Sequence, residues 1–294
     1  MTTGDSLSPP PTLLVFILNL VIYTSLWFFA ISVSRRDLKR LSVVPRFVLV
    51  SCMFRIAWFV SEYAEWHKTS SCRDARNIFS FLGRTAQLLT FSAFASVLFF
   101  WWDVLLADHL LIDKTVTSQP YFSPRVMELL LNFWLYILLF VLFLYKVYSC
   151  DEVVRSRIGN AELVTLAFFF GLLAIGYAVI SFGLLQRLQL RESNSSTQLQ
   201  KRIFIISIIC IIFFSIRTVV FLLHPLFGVL LEGTVREILY PWFFYTIPEV
   251  IPSFAVLYFM QKRKKANVAL EDALLVSPNL ENEQIHDESR IFRL

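Results

Sequence analysis

Glycine is scarce in this chain, with 8 residues in 294 against 30 phenylalanines. So few small residues exclude packing that relies throughout on close backbone approach, and predict helices that interdigitate through bulky side chains. Charge is thin as well: Asp, Glu, Lys and Arg make up 17% of the chain and hydrophobic residues 56%. Mean hydropathy is +0.63, whereas soluble domains are only about 45–50% apolar. A soluble domain is excluded and a multi-pass membrane protein expected. Histidine is limited to His67, His109, His224 and His286, no two of them at helical spacing, although an intramembrane zinc site needs several convergent N, S or O ligands. Walker loops, Rossmann glycines and nucleophile elbows are missing, and Asp103 and Asp108 read as solvated charge at a helix end. The sequence therefore predicts no catalysis, no metal and no cofactor. The opening MTTGDSLSPPP has no basic region, and the apolar run after it outlasts the roughly 7–15 residues of a signal-peptide core. Residues 1–11 read as a short tail before a retained first span.

What the chain does have is a series of apolar runs of about 20 residues, the length that crosses a bilayer core of roughly 30 Å. Spans are predicted over 12–34, 43–63, 78–102, 126–148, 161–185, 203–223 and 238–260, an all-α seven-transmembrane bundle occupying 12–262. Short connections make consecutive helices neighbours. From Ala266 the chain turns polar and acidic with few aromatics, so 263–294 reads as a disordered tail. Lys and Arg in short loops set orientation. The larger set comprises Arg35, Arg36, Lys39, Arg40, Arg46, Lys114, Arg125, Arg187, Arg191, Lys201, Arg202 and the run Lys262, Arg263, Lys264 and Lys265. The smaller comprises Lys68, Arg73, Arg76, Lys146, Arg155, Arg157 and Arg236. The richer face is cytosolic by this rule, which places the N-terminus out or lumenal and the C-terminus in the cytosol. These basic groups sit beside spans, and so speak for anionic lipid, above all at Lys262 to Lys265, and not for nucleic acid.

Ionisable residues inside the spans carry the sharpest signal. Glu249 lies deep in the seventh span between Pro248 and Pro252. A charge there costs about 2.5–3.5 kcal/mol on insertion scales, so it needs a partner and a face turned toward protein or water. The prolines each remove a backbone donor and are expected to kink the span. Arg217 in the sixth span is within reach of Glu249 along its flexible stem. Glu62 and Arg84 form a second expected pair nearer the outer surface, while Arg55 is left with either Glu249 or a backbone carbonyl. Each pair reads in two ways, as a structural salt bridge or as a ligand, proton or switch site. Cys72 and Cys150 fall in two loops on the non-cytosolic face, where a disulfide and two free thiols both remain open. Cys52 and Cys210 read as small buried hydrophobes.

Several of these stretches also carry a family resemblance. Glu249-Val250-Ile251-Pro252-Ser253, preceded by aromatics and closed by a basic stop, resembles the last span of the tobamovirus multiplication protein 1 and 3 family. Phe213-Phe214-Ser215-Ile216-Arg217-Thr218-Val219-Val220 is similar to its sixth span. Phe91-Ser92-Ala93-Phe94 with Phe100-Trp101-Trp102-Asp103 is similar to its third, and Arg55 matches an arginine in its second. The pattern departs in the fifth span, where Ile180-Ser181-Phe182-Gly183-Leu184 stands in place of paired glycines and an arginine. The resemblance implies a seven-pass, receptor-like protein of vacuolar or endolysosomal membranes. Plant members of the family are host factors that recruit viral RNA replication proteins, with small Arf-like GTPases associated. Rhodopsin-type receptors fit less well. The third span ends Trp102-Asp103-Val104 where they have Asp-Arg-Tyr, and Pro248 to Pro252 replaces their Asn-Pro-x-x-Tyr.

The expected function is thus a non-enzymatic membrane scaffold or receptor-like protein that recruits cytosolic partners, Arf-like GTPases or trafficking proteins, in a membrane that is vacuolar or endolysosomal, or the plasma membrane. Homo-oligomers are compatible with this reading. The competing expectation is a small-molecule or ion transporter with an intramembrane gate made by Arg217 and Glu249. Asn194-Ser195-Ser196, a glycosylation acceptor motif, is cytosolic in the orientation above.

Overall fold

The computed structural model describes residues 13–34, 43–66, 73–112, 123–149, 151–189, 194–227 and 242–276. Within these, the side chains of 13–14, 62–66, 73–80, 107–112, 152, 187–189, 194–199, 224, 226–227, 243–244 and 262–276 lie outside the described set. The described residues form α1 (Leu13–Ser34), α2 (Val43–Trp66), α3 (Arg73–Ile112), α4 (Pro124–Tyr148), α5 (Glu152–Gln189), α6 (Asn194–Phe227) and α7 (Ile247–Val276), with a π-helical turn over Trp242–Thr246 leading into α7.

For apolar runs of about 20 residues in lipid, a helix satisfies every backbone N–H and C=O within the segment, whereas the closed barrel, the other solution, uses strands of about 9–11 residues. Local signals then set the ends. Ser123 caps α4, its side chain accepting from the Val126 amide, and Pro124 occupies the first turn, where its missing N–H costs nothing. Asp151 starts α5, with Oδ1 accepting from the Val153 amide at 2.9 Å. Six helices, α1 to α6, are long and apolar enough to cross a membrane, so the architecture is a multi-pass helical one. The seventh apolar helix, Ile247–Gln261, is shorter.

Three spans run well past their expected ends. The third extends from 78–102 to Arg73–Ile112, 40 residues, and the fifth from 161–185 to Glu152–Gln189, 38 residues. Hydropathy registers only the lipid-crossing part of a helix, and neither extension contains proline. The sixth likewise lengthens from 203–223 to Asn194–Phe227, which places the Asn194 motif in its first turn. The tail expected to be disordered from 263 begins instead as helix, α7 continuing to Val276. Ala266, Ala269, Leu270, Glu271, Ala273 and Leu274 are strong helix formers, and no proline intervenes before Pro278. Residues 277–294 lie outside the described residues, as do Cys72 and Cys150 and the side chains of Glu62, Lys262, Arg263, Lys264 and Lys265.

The helices close into a ring in which α1 packs on α2, α2 on α3, α3 on α5, α5 on α6, α6 on α7 and α7 back on α1. Helix α4 stands outside this ring against α3 and α5. Burial follows the same order, since 56% of the apolar window of α3 is buried and only 11% of that of α4. Aromatic side chains fill the interior, with Phe91, Phe94, Phe170, Tyr177, Phe214 and Phe221 all at 1% exposure or less. Phe94 meets Phe214 edge-on at 4.9 Å, and the Tyr177 hydroxyl donates to the Phe94 carbonyl at 2.9 Å. Close approach survives at one seam, where a Cβ on Gly176 of α5 would come within 2.7 Å of Leu98 on α3.

Candidate functional site

The site is built around the start of α7. Pro248 has no N–H for the carbonyl of residue 244, and the chain ahead of it adopts a π turn, in which bonds reach five residues. The change of register falls beside Pro248, whereas Pro252 lies inside α7 without ending it. Glu249 therefore sits where the π turn passes into the α-helical segment. It is 2% exposed.

Four donors from three other helices converge on this carboxylate. Oε2 accepts from the Tyr23 hydroxyl of α1 at 2.9 Å and from Arg55 Nε of α2 at 3.1 Å. Oε1 accepts from Arg55 Nη2 and from Arg217 Nη2 of α6, the latter at 2.8 Å. A carboxylate offers about four acceptor positions, so Glu249 is saturated. Arg55 and Arg217 are both fully buried. Aromatic rings lie against both guanidiniums: Tyr245 is 4.5 Å and Trp58 5.2 Å from the Arg55 head, and Phe170 is 4.2 Å from that of Arg217. Such contacts are worth about 2 kcal/mol or more when desolvated.

The charge balance is uneven, because two cations share one anion. Both guanidiniums bond the same oxygen, so they are held within about 6 Å, two hydrogen-bond lengths. At an effective dielectric of about 20 their repulsion is roughly 3 kcal/mol, against roughly 4 kcal/mol of attraction for each cation to the carboxylate. Attraction wins and the cluster coheres, with one positive charge in excess. Among the described residues, Arg55 Nη1 and Arg217 Nε and Nη1 have no hydrogen-bond acceptor.

Smaller polar groups extend the cluster along the helices. Asn19 Oδ1 accepts from the Thr246 hydroxyl on the turn before α7. Beside Glu249, Ser51, Thr90 and Ser253 line a cavity of about 10 Å³, near the lower limit of what one water occupies. The Ser51 hydroxyl donates to the Ala86 carbonyl at 2.8 Å, joining α2 to α3.

A second cluster lies on the other side of the bundle. Glu162 of α5, 1% exposed, meets Arg84 Nη2 of α3 at 3.3 Å and Lys146 Nζ of α4 at 3.4 Å. Among the described residues the acidic partner of Arg84 is Glu162, placed there by the packing of α3 against α5; the side chain of Glu62, its expected partner, lies outside them. Helix α4 adds a polar seam facing α3. Ser92 Oγ lies 2.8 Å from Asn132 Oδ1 and 2.6 Å from the Tyr136 hydroxyl, and Ser96 donates to Glu128.

Of the residues singled out in the sequence, Arg55, Arg217 and Glu249 meet at one point, and Arg84 belongs to the second cluster. Sequence reasoning missed Tyr23, Asn19, Thr246, Glu162, Lys146 and the α4 seam. Glu128, Asn132 and Tyr136 recur every four residues and so share one helix face, a signal that was available. Comparison with protein-family models finds no match to the chain, and none is found with curated proteins.

Proposed function

We propose that the chain is a non-enzymatic, seven-pass membrane scaffold or receptor-like protein with its N-terminus lumenal or extracellular and its C-terminus cytosolic. Its place is a vacuolar or endolysosomal membrane, where it recruits cytosolic trafficking proteins of the Arf-like GTPase kind, as the likeness to the tobamovirus multiplication protein 1 and 3 family implies. One observation carries this reading. The acid of α7 is fully consumed in binding α1, α2 and α6 together, and so serves as a fastener whose consequence is a fixed shape presented to partners. Arg55, Arg217 and Glu249, three of the four charged positions of the family-like motifs, are engaged in it, while the fourth, Asp103, lies 3.9 Å from Arg125.

Proximity labelling from the C-terminus in native cells should enrich Arf-like GTPases and endolysosomal trafficking proteins over a control anchored in the same membrane; equal labelling of both would sink the recruiting role. No glycan is expected at Asn194, and one found there would invert the orientation. The transporter reading requires water to reach the Arg217 and Glu249 pair, and the cavity of about 10 Å³ beside Glu249 supports it poorly. It would regain ground if reconstituted protein carried a flux that Glu249→Gln abolished in folded protein.

A further inference from the structure

The second cluster differs from the first in being open to its surroundings. Arg84 Nη2 and Lys146 Nζ lie 3.3 and 3.4 Å from the same oxygen, Glu162 Oε2, so the two heads converge on one point. The Glu162 side chain is 1% exposed, whereas those of Arg84 and Lys146 are 21% and 20% exposed. Their donors are not used up. An ammonium has three N–H groups and a guanidinium five; Lys146 gives one to Glu162, and Arg84 gives one to the Gln87 side chain at 3.3 Å besides its ion pair. Two cations against one carboxylate leave one positive charge in excess.

Position in the bilayer decides what answers that charge. Glu128 and Lys146 stand roughly 27 Å apart along α4 at about 1.5 Å rise per residue, close to the hydrocarbon thickness of about 30 Å. Lys146 therefore lies where hydrocarbon gives way to headgroups. Tyr145 and Tyr148, both exposed, flank it, as aromatics at a membrane interface do. Because α4 stands outside the ring, the cluster it shares with α3 and α5 is reached from the lipid and not from the bundle interior. Exposed Phe81, in ring contact with Phe143 at 5.3 Å and one turn along from Arg84, offers an apolar surface to acyl chains. The anions of this layer are lipid phosphates.

We propose that Arg84 and Lys146, held on Glu162, bind the phosphate of one anionic glycerophospholipid in the leaflet at the Lys146 end of α4. In the orientation proposed above this is the lumenal or outer leaflet, opposite the basic run Lys262 to Lys265. The two cations then lie between two anions, the buried carboxylate and the phosphate, and the cluster is neutral. Charge-assisted bonds of about 2.7–2.9 Å to different phosphate oxygens let one phosphate engage both heads. A zwitterionic headgroup brings its own ammonium and leaves the excess charge in place, so the site prefers a lipid of net negative charge. It does not depend on what the protein recruits, and holds equally for a scaffold or a transporter.

The test uses the purified full-length protein in a neutral detergent, carrying Lys262→Gln, Arg263→Gln, Lys264→Gln and Lys265→Gln together so that the other basic stretch does not compete. Its melting temperature is followed as phosphatidylglycerol, phosphatidylcholine or inorganic phosphate is added. Phosphatidylglycerol should raise it saturably and at lower concentration than phosphatidylcholine, and inorganic phosphate at the same concentration should leave it unmoved. Equal effects of the two lipids would reduce the cluster to ordinary solvation and overturn the proposal. A matching rise with inorganic phosphate would make this a site for the soluble anion and overturn the lipid assignment. Lys146→Met in the same background, which removes the excess charge, should weaken the response to phosphatidylglycerol about five-fold, the worth of one basic residue at a membrane surface. Lys146→Arg should keep it. An unchanged response in Lys146→Met would place the lipid elsewhere and refute the site. Should the substituted proteins not accumulate, hydrogen exchange on the parent decides: phosphatidylglycerol should slow exchange at the end of α4 around Lys146, and no slowing there refutes the site.

Discussion

Two carboxylates in this bundle each face two cations, yet they are built to different standards. Glu249 is gripped by Arg55 through two nitrogens, by Arg217 through one and by Tyr23 through its hydroxyl, with both arginines at 0% exposure. Glu162 is just as buried, but Arg84 and Lys146 approach it at 3.3 and 3.4 Å with side chains 21% and 20% exposed. Equal charge stoichiometry therefore does not mean equal worth. A cation that can lean toward the interface keeps part of its hydration, whereas one sealed among rings has only its protein partners. Topology sharpens the contrast, since the Glu249 cluster closes the ring between α7, α1, α2 and α6, and the Glu162 cluster fastens α4 to the outside.

The contrast predicts a graded series of losses, each read as thermal midpoint and monodisperse recovery of the full-length protein. Glu249→Leu should cost most, about 3–5 kcal/mol, because it strands two buried guanidiniums; near-parental stability would erase the distinction between the two clusters. Arg55→Gln should follow and should exceed Arg217→Gln, since Arg55 supplies two of the four donors and Arg217 one. The reverse order would make the aromatic packing around Arg217 the dominant contribution. Tyr23→Phe removes one hydrogen bond to a charged acceptor and should cost about 1.5–3 kcal/mol, and a neutral outcome would mean that the phenol does not share in the clamp. Lys146→Met should cost least, no more than about 1 kcal/mol, as suits a partly exposed ion pair. A loss as large as that of Arg55→Gln would show that exposure is the wrong criterion.

Much of this was legible in the sequence, for stateable reasons. α1 and α4 lie within two residues of their expected ends, 13–34 against 12–34 and 124–148 against 126–148, because their apolar runs are bounded by prolines or charge. α3 and α5 outran expectation because hydropathy measures the bilayer and is silent about helix continuing into water. The need of Glu249 for a cation followed from its apolar surroundings alone. That Arg55 and Arg217 share it did not follow, since the first pairing spans 194 residues and depends on how the ring closes. Tyr23 was hidden because a tyrosine among aliphatics reads as filler, and its role appears only once α1 is set against α7. Glu162 fell one residue inside the expected start of its span, so it resembled an interfacial acid until α5 proved longer. Few glycines did lead to an aromatic core, with Gly176 marking the seam where α3 and α5 come closest.

The order in which the bundle is synthesised gives its fastener a further meaning. Arg55 is made early and Glu249 arrives 194 residues later, roughly 10–40 s at ribosomal speeds of about 5–20 residues per second. Over that interval the nascent second helix, joined by the sixth for the last 32 residues, holds a guanidinium whose carboxylate has yet to be translated. Only α7 discharges these cations, so the ring of helices locks no earlier than the arrival of that helix.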